Sequence, residues 1–159
     1  MNIFVTSECP KECAAFLDDK RVVKMVLETA QLLCTVINMR GLTSAPYKST
    51  HVNHPCSVWA RESVANYHWL VEHFEALCSE YTERYGKVHK CEQYKSLFRS
   101  AKFPVTMKRE RTRFANCSAN KSLGVSFKHL EDVTSAYRQY LNVRWDNDKR
   151  CPTWRGRKL

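Results

Sequence analysis

The spacing of apolar side chains predicts a long amphipathic helix in the first quarter of the chain. Apolar residues recur every three or four positions over residues 20–39, from Val22 and Val26 to Leu33 and Ile37. This is the stripe that one face of a helix buries, and polar residues occupy the opposite face.

A second stripe predicts another long helix. Aromatic and aliphatic residues follow helical spacing from Tyr67 to Tyr85. Pro55 suits a first helical position, because its φ is already fixed and its missing N–H is not needed there. Together with Gly86 as the stop, the pattern predicts one continuous helix over about 55–85.

Shorter patterns complete the predicted fold. Residues 10–19 and 91–100 each predict a short helix, and Ser126 is predicted to cap a last helix that ends near 142. Residues 2–6 are typical of a short strand or an extended arm. The chain is therefore predicted to be mostly α, a compact helical bundle over 1–159 with long basic loops and a C-terminal tail.

Composition narrows the class of protein. The 159 residues indicate one domain, and 43% hydrophobic residues allow a sizeable core. The mean hydropathy is −0.51 and no apolar run reaches about 18 residues, so we expect no membrane span. The first twelve residues lack a secretory pattern, and the eight cysteines contain no CxxC pair, so we expect free thiols in the cytoplasm.

The net charge of +10 favours a polyanionic partner. Much of the excess lies in KRERTR, residues 108–113, and in KRCPTWRGRK, residues 149–158. Aromatic residues between basic ones offer stacking faces for unpaired bases, which predicts a nucleic-acid surface. The alternative is a solvated basic surface, with its tryptophans packed on the domain.

The stretch KSTHVNHPCS, residues 48–57, has three interpretations. His54 before Pro55 would stand at the N-cap of a helix, where free N–H groups form an anion site. The same stretch could instead hold a metal, or His54 could act as a cap alone. The groups that would surround an anion are Lys48, His51, His54 and Arg61, and the candidate metal ligands are His51, His54 and Cys56, with His89 and Cys91 as possible additions.

Two adjacent carboxylates stand where the first two predicted helices meet. Asp18 and Asp19 are flanked by basic residues, and such a carboxylate can support charge on a sugar or shuttle a proton. On sequence alone, ordinary capping and salt bridging is the favoured interpretation of both carboxylates. Glu28 is interpreted as a partner of Lys24 on a solvated helix face. Walker, GxGxxG, GxSxG and HExxH motifs are absent from the sequence, which disfavours ATP use, nicotinamide cofactors and zinc proteolysis.

Three motifs in order carry a family resemblance: DKRVVKMVLETAQLL at residues 19–33, NHP at 53–55 and PTW at 152–154. The chain resembles the pyrimidine-dimer DNA glycosylase family, of the phage endonuclease V type. It is also similar to phage proteins that carry DKHVVKM followed by ETAQLL.

The resemblance implies a small helical enzyme, a monomer on duplex DNA, that needs no metal, cofactor or membrane. It would work in the cytoplasm, which is the infected host's if the gene is a phage gene. Such enzymes flip a base, attack the sugar C1′ with the chain's own α-amine, form a Schiff base and nick the backbone as abasic-site lyases. An α-amine titrates at about 7.7–8.0, so a usable fraction is neutral near pH 7. Asn2 is a bulky second residue, which disfavours enzymatic removal of Met1, so Met1 would supply the amine. Asp19 would match the family's supporting Glu, with Asp18 as the near alternative.

The residues predicted to contact DNA are basic or aromatic, and they are Arg21, Lys24, Lys48, His51, His54, Arg61, Lys108, Arg109, Arg111, Arg113, Trp154 and Arg155. Two rival hypotheses remain open. One is a non-catalytic protein on the same fold that binds DNA or RNA or inhibits host machinery. The other is a metal-dependent nuclease or deaminase that uses the histidines and cysteines named above.

Overall fold

The computed structural model describes residues 1–156; the end of the predicted basic tail, residues 157–159, lies outside the described residues. The prediction of a mostly α fold is confirmed. The described chain contains the helices α1 (Pro10–Phe16), α2 (Asp19–Met39), α3 (Pro55–Glu62), α4 (Val64–Tyr85), α5 (Lys95–Arg99) and α6 (Val133–Asn147), a 3₁₀ turn (Lys90–Tyr94), and an antiparallel pair of two-residue strands, β1 (Ala119–Asn120) and β2 (Val125–Ser126).

The two long helices form the centre of the molecule. α2 packs against α4, and α1 packs against α4. Leu33 and Ile37 of α2 and Phe74 of α4 are fully buried, as the apolar stripes predicted. By length and composition α2 would suffice to cross a membrane, but 61% of its apolar window is buried inside the protein, as in a core helix.

The predicted helix over 55–85 is two helices, and the prediction of one continuous helix was wrong. Ser63 is extended between them, with φ −145° and ψ 159°, and its hydroxyl accepts from Asn66 N–H at 3.1 Å. The first free N–H groups of α4 donate to the carbonyls of Lys108 and Arg109. The basic loop therefore completes the start of α4, which a helical pattern alone does not reveal.

The last helix begins and ends later than the sequence predicted. Ser126 does not cap it, because Ser126 pairs with Ala119 in the strand pair. Asp132 is the cap instead, and its carboxylate accepts from the N–H groups of Thr134 and Ser135. The helix continues to Asn147.

Residues 2–6 form the extended arm rather than a strand. Ile3 and Val5 are buried in the core, whereas Phe4 points the other way and has a left-handed φ of 59°. A left-handed conformation is unfavourable for a bulky residue. Packing against the rest of the fold therefore holds the backbone of Phe4 in this unfavourable conformation.

Candidate functional site

A cavity of about 260 Å³ lies between the start of the chain, α2 and α6. The arm contributes its first residues, α2 its polar face, and α6 its last two turns. The residues that line it are Met1, Asn2, Phe4, Lys20, Arg21, Lys24, Met25, Glu28, His54, Cys117, Ala119, Tyr140 and Arg144.

The first residue is held in this cavity by the second. Asn2 is buried, and its Oδ1 accepts from Ile3 N–H at 2.8 Å and from the Tyr137 hydroxyl at 2.8 Å. Because residue 2 is fixed to the core in this way, the half-buried Met1 has a defined position on the cavity wall. The pKa of the His54 imidazole is lowered, mainly by burial. The positive charge of the chain's amino group is the second cause.

Glu28 stands on the cavity wall together with Met1. Its side chain is 18% exposed and its Oε1 lies 3.4 Å from Lys24 Nζ, so the predicted pair is confirmed. The face that carries the pair is the cavity wall rather than open solvent. Among the described residues that line the cavity, Glu28 is the one acid.

Several cations share this wall with Glu28. Lys20 and Lys24 are exposed, one turn apart on α2. Arg144 lies on α6 and donates to the hydroxyl of Tyr140, one turn earlier on the same helix, at 3.0 Å. The buried Arg21 is already paired, with Asp18 and Asp148. The cavity thus joins a carboxylate to a positive rim, which suits a sugar with its flanking phosphates.

Two aromatic rings form part of the same wall. Phe4 and Tyr140 are stacked, with centroids 6.3 Å apart and planes 17° from parallel. The left-handed backbone at Phe4 aims its ring at this position. Flat apolar faces beside a cationic rim are what an unpaired base requires.

Cysteine and histidine side chains meet at the inner edge of the cavity. Cys56 Sγ lies 3.8 Å from Cys117 Sγ, and both sulfurs lie within 4.8 Å of a ring nitrogen of His54. A hydrogen bond from Cys56 and the charge of Lys128 lower the pKa of Cys117 to about 7. The same hydrogen bond and burial raise the pKa of Cys56.

His54 caps α3, and its side chain therefore occupies one of the N–H groups that would have bound an anion. Its Nδ1 accepts from Cys56 N–H at 3.1 Å. The predicted capping role is present, and one donor of the predicted anion site is satisfied internally. His51, with φ 48°, is exposed and hydrogen-bonded to Thr50, away from the cavity lining.

The structure does not bring Asp18 or Asp19 to this cavity. Asp18 accepts from Arg21 at 2.9 Å and from Trp145 Nε1 at 2.8 Å. Asp19 is bound by Arg84 at 3.1 Å and by the hydroxyl of Thr153 at 2.7 Å. Both carboxylates are buried and engaged in holding elements together, which is the salt-bridging alternative of the sequence analysis.

The predicted DNA contacts fall into separate groups. Arg21, Lys24 and His54 line the cavity with Met1. Trp154 packs on Trp145 with its Nε1 donating to Phe16, so the tail is docked on α1 and α6. The remaining predicted contacts lie outside the cavity lining, and they are Lys48, His51, Arg61, Lys108, Arg109, Arg111, Arg113 and Arg155.

Sequence reasoning missed Glu28, Arg144 and Cys117 as members of the site. Glu28 is part of the ETAQLL segment that carries the family resemblance, and that signal could have identified it. Arg144 and Cys117 are far from Met1 in the sequence and belong to no quoted motif. Only the fold joins them to the start of the chain.

A family model described as pyrimidine dimer DNA glycosylase matches residues 1–93, more than half of the chain. The matched part contains α1–α4 together with Met1, Glu28 and His54. No curated protein and no solved structure matches the chain.

Proposed function

This chain belongs to the pyrimidine dimer DNA glycosylase family, as its motifs predicted, and from that premise we propose that it excises damaged or modified pyrimidines through an amine at residue 1. Membership of the family implies DNA as the substrate. The finer proposal is a glycosylase with abasic-site lyase activity, in which Glu28 takes the role that the sequence analysis gave to Asp19.

One observation carries this proposal: Met1 and Glu28 line the same cavity, inside a rim of cations. A neutral α-amine is a nucleophile near neutral pH, and a carboxylate beside it stabilises the positive charge that develops on a sugar when its base leaves. Asp19 cannot replace Glu28 in this role, because its oxygens already bind Arg84 and Thr153.

The proposed reaction begins with attack of the Met1 amine on the target sugar. The Met1 nitrogen forms a bond to C1′ while the glycosidic bond breaks, and the base leaves with the electron pair and takes a proton. Opening of the sugar ring gives a Schiff base on the Met1 nitrogen. Removal of a C2′ proton, for which Glu28 is the acceptor in the cavity, expels the 3′ phosphate by β-elimination, and water then hydrolyses the Schiff base.

The rest of the cavity wall suits the substrate. Lys20, Lys24 and Arg144 can bind the phosphates on either side of the target sugar. Phe4 and Tyr140 offer faces for a nucleotide that has left the stack. These five side chains position DNA, and they take no part in the bond changes.

Borohydride trapping on a duplex with an abasic site tests the proposal. Wild-type protein should form a covalent adduct, and Glu28→Gln should trap about 10²–10⁴-fold more slowly with DNA binding retained. Glu72→Gln is the matched control, because Glu72 is exposed on α4 outside the cavity lining, and it should trap at the wild-type rate. Equal trapping by Glu28→Gln and wild type would remove Glu28 from the mechanism.

The amine is tested separately, on protein whose first residue has been read by N-terminal sequencing. Reductive methylation of the α-amine, or a two-residue extension before Met1, should abolish trapping while DNA still binds. Trapping that persists after full methylation of the α-amine would assign the nucleophile to another amine of the protein. Binding with no trapping by any form would favour the rival proposal of a non-catalytic DNA- or RNA-binding protein on this fold.

A further inference from the structure

We propose that His54, Cys56 and Cys117 form a binding site for a thiophilic divalent cation, with Zn²⁺ as the reference ion, at the inner edge of the cavity. The described chain places a ligand atom of each of these residues within 4.8 Å of the other two. Neither the amine chemistry nor the family match assigns a role to this cluster.

The distance between the sulfurs fits such an ion. Zn–S bonds of about 2.3 Å in a tetrahedral arrangement separate two thiolate sulfurs by about 3.8 Å. The Cys56 and Cys117 sulfurs are 3.8 Å apart, so both can bind one ion without movement of the backbone. A disulfide would instead require them to close to about 2.05 Å.

The third ligand lies beside the two sulfurs. His54 is half-buried, lines the cavity and has a ring nitrogen within 4.8 Å of both sulfurs. Its Nδ1 lone pair already accepts a hydrogen from Cys56 N–H at 3.1 Å. An ion bound at Nδ1 would take this lone pair, so the bond to the metal would replace the hydrogen bond from Cys56 N–H.

Hydrogen-bonding groups hold both cysteines in place. Cys56 Sγ lies 3.9 Å from Asn2 Oδ1, and Cys117 N–H donates to the Tyr137 hydroxyl at 3.0 Å. Groups of this kind behind a first coordination sphere orient ligands and tune their basicity. Binding Zn²⁺ would release the remaining thiol protons to solvent and leave a neutral Cys₂His site.

A route to the site and an open position are both present. His54 and Cys117 line the cavity, whereas Cys56 lies behind them, fully buried. An ion would therefore enter from the cavity and present its fourth position there. Three protein ligands with one open position differ from the closed, four-ligand arrangement of structural zinc sites.

Cobalt titration of the full-length, reduced protein tests the site. One equivalent of Co²⁺ should give the thiolate-to-cobalt charge-transfer band and the intense visible bands of a tetrahedral site, and Zn²⁺ should displace them. Elemental analysis after dialysis against Zn²⁺ should find one ion per chain. Zn²⁺ should also raise the melting temperature of the wild type.

Cys117→Ser and His54→Gln should each weaken Co²⁺ binding by more than the roughly 10–100-fold that loss of a group behind the ligands costs, and should remove the melting shift. Cys117→Ser is the decisive variant because Cys117 is only half-buried, and circular dichroism checks its fold. Cys151→Ser is the matched control, since Cys151 is exposed, and it should bind like the wild type. The proposal is overturned by binding without a thiolate band, by unchanged stoichiometry in Cys117→Ser, or by formation of a Cys56–Cys117 disulfide under conditions in which no ion binds.

Discussion

Asp19 shows how one buried carboxylate can connect three parts of the molecule. It accepts from Arg84 of α4 and from the Thr153 hydroxyl and the Arg155 N–H of the tail. The Arg84 side chain is fully buried and that of Asp19 is 7% exposed. A charge in such surroundings depends on its partners, because solvent cannot replace them.

We therefore expect Asp19→Asn to lower the free energy of unfolding by about 3–5 kcal/mol, the usual cost of removing one partner of a buried pair. Urea denaturation measures the loss. Lys24→Ala is the comparison, since the Lys24 side chain is 65% exposed and its pair with Glu28 should contribute less than about 1 kcal/mol. An Asp19→Asn protein of normal stability that fails in trapping would restore Asp19 as a catalytic residue.

His73 gives the stability a pH dependence. Burial is the main cause that lowers its pKa to about 4, because the ring is fully enclosed and stacked on Trp69. The unfolded chain binds a proton near pH 6.5 and the folded chain only near pH 4, so stability is complete above pH 6.5 and falls as the pH drops towards 4. Over that window we expect a loss of about 3 kcal/mol.

Urea midpoints measured between pH 7 and pH 4 check this expectation. The control is His73→Gln, which keeps a donor for the Pro10 carbonyl that His73 Nδ1 contacts at 3.1 Å and cannot titrate. Its curve should be flatter over the same range, although its stability at pH 7 is lower. Parallel curves for the two proteins would mean that other groups cause the acid sensitivity.

The residue scale also shows the limit of sequence reasoning. Glu28 belongs to a motif, but its spacing from Lys24 equally fits an exposed ion pair. The face of α2 that carries Glu28 becomes a cavity wall because the N-terminal arm and α6 lie next to it. Cys117 gave no signal at all, because its meeting with Cys56 depends on the path of a loop without periodicity. The local spacing predicts which face of its helix a side chain occupies, whereas the tertiary structure determines which residues lie opposite that face.

At the scale of elements, periodicity predicted α2 within one residue and the end of α4 at Tyr85. It failed at Ser63 because the apolar stripe continues across the break from α3 to α4. The break is stabilised by hydrogen bonds to residues 108–109, which lie more than forty positions away. Helix boundaries set by such tertiary partners leave no mark in the local spacing.

The junction itself can be tested through its cap. Ser63→Ala removes the buried acceptor of Asn66 N–H and should cost about 1 kcal/mol, or a melting temperature lower by about 2–4 °C. Ser79→Ala is the control within α4, because that hydroxyl is exposed and only donates to the Glu75 carbonyl. Its effect should stay within about 0.5 kcal/mol. Equal losses would show that the Ser63 hydroxyl does not stabilise the start of α4.

At the scale of the whole molecule, the net charge of +10 will attract any polyanion, so affinity alone does not locate the binding face. The salt dependence of binding can locate that face, because each phosphate contact contributes about 0.9 to the slope of log K against the logarithm of the salt concentration. Lys24→Ala should reduce that slope by about 1 if the cavity rim receives the DNA backbone. Lys87→Ala carries the same charge change outside the cavity lining and should leave the slope near that of wild type. Fluorescence anisotropy on an abasic-site duplex at several salt concentrations measures both, and equal slopes for the two variants would place the DNA on another face.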